Sequence, residues 1–60
     1  MTALEIKAIR AEQTVAQFAA ALGVHRLTVY RWEDGSRQPK GLYKKALQRL
    51  AKKRGIALSD

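Results

Sequence analysis

Apolar residues recur along this chain at spacings of three and four, and nowhere in the alternation that marks a half-buried strand. The pattern predicts an all-α fold of four to five short helices. The first helix covers about residues 3–12, with Leu4, Ile6, Ala8 and Ile9 as a broad apolar face. Thr2 can cap it, because Glu5 follows three positions later and each side chain can reach the other's backbone N–H. The second helix has the cleanest stripe: Val15, Phe18, Ala19 and Leu22 follow i, i+3, i+4, i+7. Thr14 and Gln17 repeat the capping pattern at its start. Gly23, tolerant of positive φ, stops it.

Only Gly23, Val24 and His25 separate this helix from the next, and so short a turn joins two helices at a steep angle. The third helix should run over about 26–33 and end at Gly35. At about 100° per residue, Val29 and Trp32 share the inner face. Leu27, Tyr30 and Arg31 then point the opposite way, with Arg26 on the flank of the first turn. Residues 36–40 read as a surface connection. Pro39 biases Gln38 away from the helical region and can open the fourth helix as its first residue. That helix should reach about Arg54, with Leu42, Tyr43, Ala46, Leu47 and Leu50 inside and its Lys and Arg residues outside. Gly55 ends it, and Ile56 and Leu58 follow with no obvious core position.

Sixty residues make one domain, 1–60, and a domain of this size buries only about 60% of its unfolded surface. There is no Cys, so neither a disulfide nor a thiolate metal site can brace it. With a single His, no metal site is expected. Tight helix packing or a partner subunit must supply the stability, which points to a homodimer. No apolar run approaches the ~20 residues of a membrane span. The N-terminus lacks a signal-peptide pattern, and the absence of Cys fits a reducing cytoplasm.

Charge sharpens this picture through its placement. Up to residue 25, Lys7 and Arg10 cancel Glu5 and Glu12. From residue 26 on, ten Lys and Arg stand against Glu33, Asp34 and Asp60, which accounts for the whole net charge of +7. A polyanion should therefore meet the second half, and charge alone does not choose among DNA, RNA and anionic lipid. Catalysis is not expected: there is no nucleophile–base–orienter set, and the adjacent Glu33 and Asp34 do not face each other on a helix. No cofactor is expected either.

The stretch "TVAQFAAALGVHRLTVYRWEDGSRQP", residues 14–39, does choose. It resembles the helix-turn-helix of the Cro/C1-type (XRE-like) phage and bacterial repressors. The shared features are a Thr-capped helix, a Phe–Ala pair, "LGV", then "TVYRWEDG" and a basic loop with Pro. The likeness spans about residues 4–53. Two positions differ from the family's habit: Val15 stands where Gln is common, and His25 where Ser or Thr caps the recognition helix. The resemblance implies a lambda-repressor-like domain, with the helix-turn-helix at about 14–34. Residues 40–60, the fourth helix and the tail with Ile56 and Leu58, are expected to serve dimerisation, because their apolar side chains have no other stated use.

The resemblance also implies a function: sequence-specific binding of double-stranded DNA by a dimeric repressor of a small phage or bacterial operon, in the bacterial cytoplasm. The operator would be an inverted repeat, with no small-molecule ligand. The third helix would enter the major groove, which admits one α-helix and shows a distinct pattern for each base pair. Arg26 and Arg31 would read bases, as Arg can pair bidentately with guanine. Leu27 can touch a thymine methyl, and Thr28 a base or the backbone. Phosphate contacts would come from Thr14 with the free N–H groups beside it, and from Tyr30, Arg37, Lys40 and Lys44. His25, a cap or turn residue, is a further phosphate candidate. Arg49, Lys52, Lys53 and Arg54 would add only a diffuse field. Arg10 and Glu33 are expected to pair between the first helix and the recognition helix, as they often do in the family.

Two other functions compete. One is an antitoxin-like protein that neutralises a partner, against which the short segment after the fourth helix counts. The other is a membrane-surface peptide built on the basic fourth helix, in which a tight helix-turn-helix would have no use.

Overall fold

The computed structural model describes residues 1–58. Among them are four α-helices and no strand: α1 (Ala3–Arg10), α2 (Val15–Leu22), α3 (Arg26–Asp34) and α4 (Leu42–Lys53). The all-α expectation holds. Both capping boxes form. Thr2 N donates to Glu5 Oε1 at 2.7 Å and Glu5 N to Thr2 Oγ1 at 3.2 Å. Thr14 and Gln17 make the same exchange, both bonds at 3.1 Å. Each box satisfies N–H groups that the first helical turn leaves without a carbonyl partner.

α1 stops two residues short of the expected end because Ala11 takes φ 55°, ψ −123°. That region suits Gly, and a Cβ there costs of order 1–3 kcal/mol. Ala11→Gly is therefore expected to raise the unfolding free energy by about 1 kcal/mol, after the greater freedom of Gly in the unfolded chain is subtracted. Urea melts of the two proteins measure this, and a lower midpoint for the variant would contradict it.

α4 begins at Leu42 rather than Pro39. Gly41 has φ 59°, ψ −127°, a conformation that cannot continue into a helix, so nothing before it belongs to α4. Pro39 is instead buried, and the segment from Gly35 to Gly41 becomes a longer connection than the sequence suggested.

Each helix gives two residues to the core: Ile6 and Ile9, Phe18 and Ala19, Val29 and Trp32, Leu47 and Ala51. α3 packs against both α1 and α2, and α4 packs against α1. The inner faces are narrower than the apolar content of the sequence implied. Leu4 lies two positions from Ile6, over half a turn away, and is 76% exposed. Ala8 is exposed too. Leu42, five positions from Leu47, is 82% exposed, while Ala51, one turn beyond Leu47, takes a core place.

The tail has a place as well. Ile56 N donates to Ala51 O at 2.8 Å and Gly55 N to Lys52 O at 3.1 Å, with Gly55 at φ 73°. This is the Schellman closure, in which the residue after the Gly packs back on the last helical turn. Ile56 and Leu58 accordingly rest against the core. The same closure ends α2, where Val24 N donates to Ala19 O at 3.0 Å and Gly23 N to Ala20 O at 3.2 Å.

Candidate nucleic-acid interface

α2, a short turn and α3 form a helix-turn-helix unit, and α3 is fixed on its inner side by two devices. The first is apolar. Val29 and Trp32 are buried, and the Trp32 ring meets Tyr43 of α4 with centroids 6.0 Å apart and planes inclined at 50°. The second is ionic. Arg10 Nε donates to Glu33 Oε2 at 2.8 Å and Arg10 Nη2 to Glu33 Oε1 at 3.0 Å, a bidentate fork of the kind that gives Arg its geometric specificity. The expected bridge from α1 to α3 is thus present. Its side chains are 24% and 8% exposed for Arg10 and Glu33 respectively. The hydrogen bonds to Glu33 raise the guanidinium further above its ordinary value, outweighing the opposite effect of burial, so Arg10 stays charged.

The two ends of α3 are closed locally. His25 Nδ1 accepts from Leu27 N at 3.1 Å, so His25 does cap the helix in place of Ser or Thr. A nitrogen that accepts carries no proton, which leaves Nε2 as the ring's donor. His25→Ala is expected to cost about 1 kcal/mol of stability, the usual worth of an N-cap, read from thermal melts; an unchanged midpoint would mean the ring contributes nothing as a cap. At the other end Gly35 takes φ 84°, and Ser36 N donates to Asp34 Oδ1 at 2.7 Å. Hydrogen bonds from the Ser36 side chain and backbone hold the Asp34 carboxyl below the ordinary aspartate range. Their stabilising effect is complete above that ordinary range and is lost as pH falls through the lowered value.

On the outward side, Leu27 lies at the centre of the α3 face, 48% exposed, and Tyr30 beside it is 53% exposed. Arg31 flanks Leu27 on the other side and is exposed. Arg26 is exposed in the first turn, one heptad before Glu33 and so on the flank that carries the ion pair. Thr28 is half-buried. Thr28 and Arg31 open into a cleft of about 620 Å³ between α3, the loop after it and the start of α4. Arg37 and Lys40 line the same cleft, with Trp32 and Tyr43 as its aromatic wall. Four of the sequence-derived candidates, Thr28, Arg31, Arg37 and Lys40, therefore share one basic recess. Thr14 sits apart at the start of α2, where its Oγ1 is engaged as a cap, and Lys44 is half-buried in the first turn of α4.

Sequence reasoning overlooked Arg54, which was assigned only a diffuse field. Its Nη1 donates to Ile9 O and its Nη2 to Gln13 Oε1, the latter at 3.3 Å. The signal was available: Arg54 follows Leu47 by seven positions, so it extends the inner stripe of α4 rather than the basic outer face. Among the described residues no group of His, Asp and Glu is placed to hold a metal ion, and no helix is long and apolar enough to cross a membrane. No protein-family model, no curated protein and no solved structure matches the chain.

Proposed function

We propose that this protein is a sequence-specific, double-stranded-DNA-binding transcriptional regulator of the Cro/C1 type, a dimeric repressor of a small phage or bacterial operon acting in the bacterial cytoplasm. The observation that carries this reading is the two-sided character of α3. One side is locked to the core by Val29, Trp32 and the Arg10–Glu33 fork. The other presents Leu27, Tyr30 and Arg31 beside a recess that holds Arg37 and Lys40. A short rigid helix with a mixed outward face and cations at one edge fits the major groove, where one α-helix is admitted and base edges can be read. It has no evident use on a lipid surface.

In this reading Arg26, Leu27, Thr28 and Arg31 face bases, while Thr14, His25, Tyr30, Arg37, Lys40 and Lys44 face phosphates. One such module reads few base pairs, so two copies on an inverted repeat about one helical turn apart are needed for useful specificity. Ile56 and Leu58 rest on their own core, so the reason for giving them to a subunit contact falls away. On α4 the large apolar side chain left for a second copy is Leu42, 82% exposed, since Tyr43 belongs to the recess.

The test is selection of bound duplexes from a random pool with the purified full chain. A two-fold symmetric consensus is expected. Recovery of duplexes with no common sequence would overturn the proposal, as would anionic vesicles that outcompete duplex DNA at equal charge.

A further inference from the structure

α1 and α2 are joined by residues 11–14, and this linker is gripped from two sides. Arg10, already forked on Glu33, also donates from Nη1 to the Gln13 carbonyl at 2.9 Å. Arg54 reaches across from the far end of α4 to the Ile9 carbonyl and, at 3.3 Å, to Gln13 Oε1. Gln13 is the shared node: its backbone oxygen takes one guanidinium and its side-chain oxygen the other. Between them lies Ala11 at φ 55°, ψ −123°. Strain of this kind persists only where the surroundings over-determine it, and here the two arginines join the backbone bonds from Ala11 N to Lys7 O at 3.0 Å and from Gln13 N to Arg10 O at 3.1 Å. The Ile9 carbonyl is one of those that the end of α1 leaves without a helical donor, which gives Arg54 a specific acceptor rather than a general charge effect.

We propose that Arg54 is a positioning residue for α3. By holding Ile9 and Gln13 it fixes the strained α1–α2 turn; the turn fixes the Arg10 guanidinium; and Arg10 fixes Glu33, one turn after Tyr30 on the helix assigned to DNA. The end of α4 is in this way tied to the recognition surface by hydrogen bonds, through residues that would not themselves touch DNA. Only the last step, from α3 to DNA, rests on the function proposed above.

The experiment uses the full chain labelled with ¹⁵N and follows the Nε–H resonance of Arg10. In the parent protein a dispersed, slowly exchanging signal is expected, because Arg10 Nε donates to Glu33 at 2.8 Å. In R54Q it moves toward the position of a free arginine and exchanges with water about fivefold faster, within the range by which coupled residues influence one another. K53Q removes the same charge from the neighbouring position and leaves the signal unchanged. R54K, which can still donate one bond to Ile9, restores most of it. Gln13→Ala keeps the backbone oxygen for Arg10 and the Ile9 carbonyl for Arg54 but removes the second acceptor of Arg54; it displaces the signal in the same direction as R54Q, by about as much as R54K does, and decides the matter should R54Q fail to fold. On the selected duplex, R54Q binds about fivefold more weakly than K53Q.

An Arg10 signal that is the same in R54Q, or in Gln13→Ala, as in K53Q overturns the proposal. Equal duplex affinities for R54Q and K53Q would overturn its last step. If the parent protein selects no duplex at all, the DNA reading falls while the resonance of Arg10 still decides whether the tie exists.

Discussion

Arg10→Met is expected to lower the unfolding free energy by about 2 kcal/mol, below the roughly 3–5 kcal/mol that breaking a fully buried ion pair costs, because this pair is only partly buried. The loss arises mainly from what is left behind. Glu33 has 8% of its side chain exposed, and without Arg10 its carboxylate has no cation in the fork and little water. The reverse change, Glu33→Ala, is expected to cost less, because the Arg10 side chain is 24% exposed and keeps its bond to the Gln13 carbonyl. A chain of this length has roughly 3–9 kcal/mol of total stability, so the Arg10 variant should lose a large fraction of it and unfold at a markedly lower urea concentration. Urea unfolding followed by the fluorescence of Trp32 measures both. The double variant Arg10→Met with Glu33→Leu decides the cause: removing both charges should return most of the loss, since an ion pair can be replaced by apolar groups at small cost. If Arg10→Met lies within about 0.5 kcal/mol of the parent, the range of an ordinary surface change, the pair is ornamental and α3 is held by Val29 and Trp32 alone.

That pair also shows what kind of information the sequence carried. The four helices, both capping boxes and the inner positions of α3 were legible because each depends on residues within one turn of one another. The Arg10–Glu33 pair spans the chain and was foreseen through family resemblance, not through spacing. Where the pattern misled, the cause was chain geometry that residue types do not encode. Ala11 adopts a backbone conformation expected of Gly, so nothing in "RAEQ" announced the end of α1. Pro39 looked like a helix opener, yet Gly41 decided the boundary. Leu4 and Leu42 were counted as core because they are apolar, although their angular distance from Ile6 and Leu47 places them outside. Ile56 was legible in principle: an apolar residue directly after a helix-ending Gly is half of the Schellman closure, as Val24 after Gly23 already showed. The outward residues of α3 were legible as a face, but their division between bases and phosphates was not. The recess that gathers Thr28, Arg31, Arg37 and Lys40 depends on the path of the loop from Gly35 to Gly41.

Because that recess joins two classes of candidate, Arg31 and Arg37 should separate them. Arg31 lies on the helix, flanking Leu27, while Arg37 lies on the loop; both line the same cleft. If the strand runs along the cleft, Arg31 is aimed at the base edges of the groove and Arg37 at the backbone beside it. Arg31→Ala should then cost about 1–3 kcal/mol on the best selected duplex, roughly five- to 150-fold in affinity, and much less on an unrelated duplex. Repeating the selection with this variant should relax the consensus at one position per half-site. Arg37→Ala should weaken all duplexes alike and reduce the log–log salt slope by about 0.9 for each phosphate that Arg37 neutralises. Fluorescence anisotropy at several salt concentrations, on the selected duplex and a scrambled one, measures both quantities. A uniform loss for Arg31→Ala with a shallower salt slope would place Arg31 on the backbone. Base reading would then fall to Arg26, Leu27 and Thr28, so Arg26, which lies on the ion-pair flank of α3 rather than the cleft side, would have to carry the guanine contact.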